Sequence, residues 1–513
     1  MELILVSAIK PHTVEQLQAQ VASLQNDLYL AQLKIRVLEE KLRQQRIKVF
    51  GPHSEKLSDL QLWLLEQEPS VSAEEVAAEA ERPVIGQALP KREKKKHPGR
   101  QKLPEDLPRV VTEIPCSQQQ CLCAACGKEM PVIGHDESEV LDVEPAKYFV
   151  RVTRREKRAC KCERGKVVSP ALAPRIIEKG LVSDAVVVAM VIGKYCDHLP
   201  LYRQESMLLR EAGVAISRAT MTGWMMEIGE MAQPVCGGIR LDLLAGGYIQ
   251  ADETTVDVQT HDKRGENHQA YLWQYGRPGG ETVFDFQMGR GRAGPRKFLE
   301  GYQGKLQTDG YQAYDDGVGG PGMVHAGCWG HTRRGFVDAV KVNKDDGEAA
   351  MMVTRMDALF CIDRFAREEG MGFQQRLEHR KQHTPEWLDA IQDKCRELGP
   401  RVLPQSAMGK AIQYTLNQWE KLMVTINDGE IELSTNVAEN SMRPVALGRK
   451  NWLHIGSPQA GAKVAAILTL VESCRRLRIP VKDYLCDILP GLRNRPTSHA
   501  AQLTPARWAA SRA

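Results

Sequence analysis

Residues 246–258 read GGYIQADETTVDV, an alternating apolar approach that delivers an acid, Asp252, and the reading of this stretch decides the fold. Side chains on a strand repeat every second residue, so alternation of this kind predicts a strand with one face in a core. HQAYLWQYGR (268–277) and ETVFDFQMG (281–289) repeat the pattern after polar or glycine-rich turns, the signal of an antiparallel meander. Beyond the meander, PRKFLEGY (295–302) predicts a helix and KLQTDGY (305–311) a fourth strand carrying Asp309. MVHAGCW (323–329) then predicts a fifth strand, and HTRRGFVDAV (331–340) a helix with a basic start.

Three antiparallel strands, a helix, a strand with an acid, then another strand and helix is the order of a ribonuclease-H-like α/β core. In that order Asp252 falls on the first strand and Asp309 on the fourth. A third acid, Glu439, lies in STNVAENSMRP (434–444), just before a basic stretch. Three carboxylates brought together by the fold can hold two divalent metals, which stabilise the attacking and leaving oxygens of a phosphodiester. Hard oxygen ligands favour Mg²⁺ or Mn²⁺. A single carboxylate after a strand is usually just solvated, and the surrounding motifs give these three their weight. Glu472, in LTLVESC, is a rival third acid but sits in an apolar helix far from any motif. Glu253 is expected on the strand face opposite Asp252. Cys328 and His331 form a C-x-x-H pair that reads as packing, or as positioning of the site, and not as zinc.

The chain has 513 residues, enough for several domains, and 13 cysteines, an odd and scattered set that favours a reducing cytoplasm over disulfides. No apolar run is long enough to span a bilayer, and MELILVSAIKPHT at the start lacks the basic region and cleavage pattern of a signal peptide. Net charge is only +4, so the distribution of charge is more informative than its sum.

Over residues 11–48, Val14, Val21, Leu28, Ile35 and Leu42 recur at every seventh position, with Leu17, Leu24, Ala31 and Leu38 between them. This pattern predicts a coiled coil and self-association, or else one long helix packed on its own domain. We read 1–65 as this dimerisation segment and 66–108 as a linker, acidic and then basic at KREKKKHPGRQK (91–102), where Lys94 and Lys95 are candidate phosphate contacts. Residues 109–168 are expected to form a zinc-finger-like module. Cys123 and Cys126 make a CxxC followed by glycine, and Cys160 and Cys162 make a tighter CxC, with Cys116 and Cys121 as possible substitutes. Strand-like residues between the pairs carry a basic face that includes Arg154 and Arg155.

Residues 169–245 read as helices. Within them ISRATMTGW (216–224) is either the turn and second helix of a DNA-binding helix-turn-helix or an ordinary connector. Residues 246–340 and 431–480 are expected to be the two parts of the catalytic core. The polar helical stretch 341–430, with the stripe Ile412, Leu416, Trp419, Met423 and Ile426 on one amphipathic helix, is expected as an insertion between them. GAKVAAILTLVESCRRLRIPVKDYL (461–485) reads as a buried helix with a basic end, and 481–513 as a tail.

The chain resembles the large transposase of the insertion sequence 66 family over nearly its whole length. The resemblance rests on KVFGPHSEKL (48–57), CAACG (123–127), KYCDHLPLYRQ (194–204), ISRATMTGW, ADETTV (251–256) and LQTDGYQAYD (306–315). It continues through GCWGHTRRGF (327–336), GKAIQYTLNQWE (409–420) and NVAENSMRPVALGRKNWLHIGS (436–457), in that order. The resemblance implies a DDE-type transposase that cuts and joins DNA at the ends of a bacterial mobile element, with Asp252, Asp309 and Glu439 as its acids. Arg443, Arg449 and Lys450 would hold phosphates, and Trp452 would stack on an unpaired base. Double-stranded DNA, further copies of the chain and small proteins encoded beside it are the expected partners. The chain departs from the family pattern at its CxC pair, at Gly330 and Gly335, where Ala and Lys are common, and at Asn440, where Arg is frequent. Another nuclease of the same fold, and a DNA-binding descendant without catalysis, are the rival readings.

Overall fold

The computed structural model describes residues 148–156, 158–159, 167–168, 170–260, 266–315, 317–343 and 346–512, together with Val21 and Leu24, both helical and exposed. The rest of the coiled-coil seam, Lys94 and Lys95, and the four cysteines Cys123, Cys126, Cys160 and Cys162 lie outside the described residues. The chain divides into two units. One is Val84–Arg154, of which 148–154 are exposed and outside any helix or strand; the other holds the elements that follow here.

The meander forms as the alternation predicts. Strands β1 (Tyr248–Val258), β2 (His268–Gly276) and β3 (Thr282–Gln287) pair antiparallel, with Asp252 opposite Gln274. Strand β4 (Lys305–Gln307) runs parallel to β1 on its other side, and β5 (Val324–Ala326) runs parallel to β4, which gives the order β3-β2-β1-β4-β5. A short strand that the sequence did not announce, β6 (His454–Ile455), pairs parallel with Asp257 and Val258 at the far end of β1.

Helices α1 (Asp184–Tyr195), α2 (Leu201–Ala212) and α3 (Arg218–Ala245) precede the sheet. The helix, turn and helix around Gly213 are present, and Ser217 caps α3 by accepting from Thr220 N at 3.2 Å. Thereafter α3 is a buried spine, with Met221, Met225, Ile228, Ala232, Val235 and Ile239 all in the core. The short helix α4 (Ala293–Phe298) and helix α5 (Trp329–Val342) flank β4 and β5 in sequence.

The excursion is helical as expected: α6 (Gly347–Glu368), α7 (Phe373–His383), α8 (Pro385–Leu398), α9 (Ala407–Asn417) and α10 (Trp419–Ile426), around a second hydrophobic core that it shares with Trp329, Phe336, Val337 and Ala339 of α5. The expectation of one helix through Ile412 and Ile426 is corrected, because Gln418 breaks it at φ −96°, ψ 3°. The break has a packing cause. Trp419 meets the Trp329 ring edge-on at 5.8 Å, and the Gln418 side chain lies against Gly310.

The chain returns through α11 (Asn436–Trp452), α12 (Pro458–Arg476) and α13 (Val481–Ile488). Helix α12 approaches its neighbours so closely that a Cβ at Gly229 of α3 would stand 2.4 Å from the Lys463 carbonyl, and one at Gly461 would stand 2.2 Å from the Phe286 ring. Its hydroxyls also finish the sheet edge. Phe284 N donates to Thr469 Oγ1 at 2.9 Å and Thr282 N to Ser473 Oγ at 3.1 Å, so β3 presents fewer open donors to a foreign strand. The reading of 481–513 as a tail is corrected as well. Tyr484, Leu485 and Ile488 are buried, and Ala506 N donates to Glu281 at 2.9 Å, because the apolar face of α13 has a core to enter.

Candidate active site

Strand β1 leaves the core where its acid begins. Tyr248 to Ala251 are buried, and Asp252 to Thr255 are only half-buried. Asp309 comes two residues after β4 and closes a turn in which its Oδ1 accepts from Tyr311 N at 2.9 Å. The turn needs Gly310 at φ +90°, a conformation that side-chain-bearing residues rarely adopt. The Tyr414 hydroxyl of α9 donates to the Asp309 carbonyl, so the excursion packs directly on the acid-bearing turn.

Glu439, in the first turns of α11, is far away in sequence and is brought back by buried polar groups. Gln250 Nε2 donates to Ser434 O, Gln307 Oε1 and the Tyr248 hydroxyl, each at 2.9 Å. Gln307 Nε2 donates to Glu432 O at 2.7 Å and Gly327 O at 2.9 Å. Two sheet glutamines thereby satisfy the carbonyls of the segment that leads to Glu439, and a buried amide left unpaired costs on the order of 1–3 kcal/mol. From the other side, Arg380 donates to Thr425 O at 2.8 Å, to Ile431 O at 2.9 Å and to Asp428 O. Its own charge is matched by Asp363.

The acids act on one another. Burial, and then the charges of Glu439, Glu253 and Asp309, push the Asp252 carboxyl up to about 7. The side chain of Glu253 is nearly covered although the residue as a whole is half-buried, and Arg290 compensates it by donating to Oε1 through Nε at 3.1 Å and Nη2 at 2.7 Å, while Tyr314 donates to Oε2 at 3.1 Å. Glu439 Oε2 accepts from Arg334 at 2.9 Å. Its Oε1 is buried and accepts no hydrogen bond, although His331 Nε2 stands 3.4 Å away. Burial works against the His331 cation, but the Cys328 thiol and Glu439 outweigh it and hold the imidazole up at about 9. Cys328 is itself lowered, because His331 prevails over burial there. Thr435 N reaches its Sγ at 3.3 Å, so the pair ties α5 to the start of α11.

In donor type and charge the cluster fits a hard divalent cation. It is short of positive charge at Asp252, and Glu439 Oε1 is a buried oxygen with no donor. It is not a preassembled ligand set, since among the described residues no three His, Cys, Asp or Glu side chains are gathered closely enough to hold an ion. Glu472, the rival acid, is paired with Arg475 through two bonds of 2.8 Å.

The expected phosphate contacts divide. Arg443 and Lys450 are exposed on α11, and Arg154 and Arg155 are exposed outside any helix or strand. Arg449 instead turns inward, and its Nη1 donates to Thr254 Oγ1 at 2.9 Å and to Thr255 O at 2.6 Å, which fastens α11 to β1. Trp452 is half-buried, with its ring against the core and Lys194 Nζ 5.2 Å from its centroid. Sequence reasoning missed Arg290 and Arg334. Arg334 follows His331 by three residues, the spacing that puts two side chains on one helix face, and that signal was available.

The family model described as transposase IS66 family matches residues 179–463, a span that includes all three acids. The zinc-finger binding domain of transposase IS66 matches 120–163, which covers Cys123, Cys126, Cys160 and Cys162, and transposase C of IS166 homeodomain matches 37–112. The uncharacterized protein y4qI of Sinorhizobium fredii is 34% identical over 414 residues, 77% of this chain and 74% of that protein. The uncharacterized protein y4hP of the same organism is 28% identical over 502 residues, 92% of this chain and 88% of that one.

Proposed function

The chain belongs to the IS66 transposase family, and on that premise we propose that it is a DDE-type enzyme that cuts DNA at the ends of a mobile element and joins them to a target. Asp252, Asp309 and Glu439 are the catalytic carboxylates in this reading. What supports it is that the charges of Glu439 and Asp309 act on the Asp252 carboxyl despite the long helical excursion between them. The sheet order β3-β2-β1-β4-β5, with β4 and β5 parallel to β1, supports a ribonuclease-H-like core, as do the positions of Asp252 on β1 and Asp309 just after β4.

Asp252, Asp309 and Glu439 would hold two Mg²⁺ or Mn²⁺ ions, which when bound supply charge that stabilises the attacking and leaving oxygens of the phosphodiester. The protein's own share is positioning. The Asp309 turn is braced by Tyr414, Glu439 is oriented by Arg334 and His331, and Arg290 keeps Glu253 committed elsewhere. Arg443 and Lys450 are exposed on the helix that carries Glu439, where they would meet DNA phosphates. Hydrolysis at the element end leaves a 3′-hydroxyl, and this hydroxyl then attacks a target phosphodiester without a covalent protein intermediate. The zinc-finger family match supports Zn²⁺ in 120–163, and we assign its thiolates to Cys123, Cys126, Cys160 and Cys162. The match over 37–112 is in keeping with oligomerisation through the N-terminal heptads, and small companion proteins remain an expectation of the family.

The test is Mg²⁺-dependent cleavage and joining of end-containing DNA by the purified chain. Asp252→Asn, Asp309→Asn and Glu439→Gln are each expected to lower the rate by on the order of 10³-fold. Wild-type rates in all three would overturn the assignment, and cleavage without joining would favour a nuclease.

A further inference from the structure

The exposed residues of helix α11 are Arg443, Leu447 and Lys450, and their spacing puts them on one helix face with Glu439. Arg443 makes no hydrogen bond or ion pair among the described residues. Leu447 is 51% exposed, and Leu453, which follows the helix, is 65% exposed. Two cations and two leucines thus continue the surface that starts at the third acid. At ~1.5 Å per residue, Leu453 stands about 21 Å along the helix from Glu439.

Leu453 has a costly backbone. Its φ of 66° lies in the left-handed region, but its ψ of −55° is far from the left-handed turn that commonly ends a helix. These angles are close to those of the rarer, strained form of the γ-turn. Burial returns little of the cost, because the side chain is mostly in water. Both flanks hold it in place. On the helix side Arg449 ties α11 to Thr254 and Thr255, and Trp452 folds back on its own helix, where a Cβ at Gly448 would stand 2.6 Å from the indole nitrogen. On the other side β6 pairs with Asp257 and Val258, and Gln259 N donates to Ile455 O at 2.9 Å. Backbone strain that the surrounding structure over-determines collects at functional sites.

We propose that this face lies along duplex DNA, with Arg443 and Lys450 on its phosphates and Leu453 inserted between two base pairs as a wedge, about six base pairs from the phosphodiester at Glu439. The proposal rests on the DNA-processing role above and adds a specific deformation of the substrate. The cations commit the occupant to a polyanion. A rigid apolar tip beside them suits a base step, whose apolar faces open between two charged backbones. Unstacking the step costs free energy, which the kinked duplex offsets by bringing more of its backbone against the protein.

The probe is a short duplex of arbitrary sequence with a fluorescent donor and acceptor at its ends. Its end-to-end distance is read at saturating full chain without divalent metal. The wild type is expected to shorten that distance as a kink of roughly 20–90° would. Leu453→Gly is expected to leave the bound DNA straight. Its melting temperature should hardly move, because relief of the strain offsets the extra freedom of an unfolded glycine. Leu453→Asn, a polar side chain that tolerates positive φ, decides the matter if the glycine variant misfolds. Leu453→Met keeps an apolar tip and should keep most of the bend. Arg443→Ala should weaken binding and lower its salt slope by about one. A straight duplex on the wild type, or a bend that survives Leu453→Gly, overturns the proposal. So does self-association that Leu453→Gly abolishes with no bend in the wild type, which seats a second copy on this face. The assay needs no cleavage, so its failure is separate from that of the carboxylate assignment. Cleavage of DNA that stays straight removes the wedge alone, and a Leu453-dependent bend without cleavage removes the carboxylates' role alone.

Discussion

Asp252 is partly and Asp363 wholly withdrawn from water, and the protein treats the two acids in opposite ways. Asp363, on α6, is met by Arg376 at 2.8 Å, Arg380 at 2.6 Å and Arg367 at 2.9 Å. Burial tends to raise its carboxyl, but the hydrogen bond from Arg376 and the three positive charges prevail and hold it down at about 2. Asp252 has Glu439, Glu253 and Asp309 for neighbours, and its carboxyl rises to about 7. A buried charge is tolerable only when compensated. The excursion carries its compensation in its own sequence, whereas the sheet rim leaves a deficit that a cation from solution can fill. Structural ion pairs and functional sites both shift ionisation, and the sign of the shift separates them here.

The largest effect should come from breaking the compensated side. Asp363→Asn leaves Arg376 and Arg380 buried beside a neutral partner, so urea denaturation is expected to show a loss of about 3–5 kcal/mol. Cleavage should fall too, because Arg380 also holds the carbonyls of Thr425 and Ile431 ahead of Glu439. The stabilisation by Asp363 is present above the unfolded carboxylate value near 3.9 and is lost as pH falls through about 2. Acid titration of the wild type should leave the excursion intact at pH values where other carboxylates have protonated.

The uncompensated side predicts the opposite slope. Above a pH of about 4 the unfolded chain has ionised Asp252 while the folded chain still holds the proton, so this group costs stability progressively up to about pH 7. Asp252→Asn removes the cost. Without divalent metal it is expected to be more stable than wild type by about 1–3 kcal/mol at neutral pH and equal to it near pH 4. Mg²⁺ should raise the melting temperature of the wild type more than that of Asp252→Asn. A variant less stable than wild type at neutral pH would show that the carboxylate is compensated after all.

Only the Asp252 side of this contrast was legible in the sequence, because the sheet advertises itself by period. Alternation through GGYIQADET and KLQTDGY located the strands that carry or precede Asp252 and Asp309, and the resemblance located Glu439. Pairings between segments distant in sequence were not legible. Gln250, Gln307 and Ser434 meet across the sheet, yet none belongs to a local pattern. Arg449 looked like a DNA contact because a basic helix end with an aromatic has the composition of one. Only the fold shows that Arg449 faces Thr254 and that Lys194 covers the Trp452 ring. The break at Gln418 escaped for a related reason, since an apolar stripe continues in register across two helices that bend around one core.

Arg334→Met should give the smallest change in stability and the sharpest test of how Glu439 is held. The guanidinium is half-exposed, and an exposed ion pair contributes below about 1 kcal/mol, so the melting temperature should hardly move. Its bond to Glu439 Oε2 nevertheless fixes the orientation of a carboxylate whose other oxygen accepts no hydrogen bond. Groups that orient a metal ligand typically matter by about 10–100-fold, and cleavage is expected to fall within that range. Arg334→Lys keeps the charge but loses the planar fork, so it should restore only part of the rate. Loss of stability alone would make Arg334 a surface tie between α5 and α11. Loss of rate alone would mean that orientation limits the third acid, in contrast to Asp252, where the missing quantity is charge.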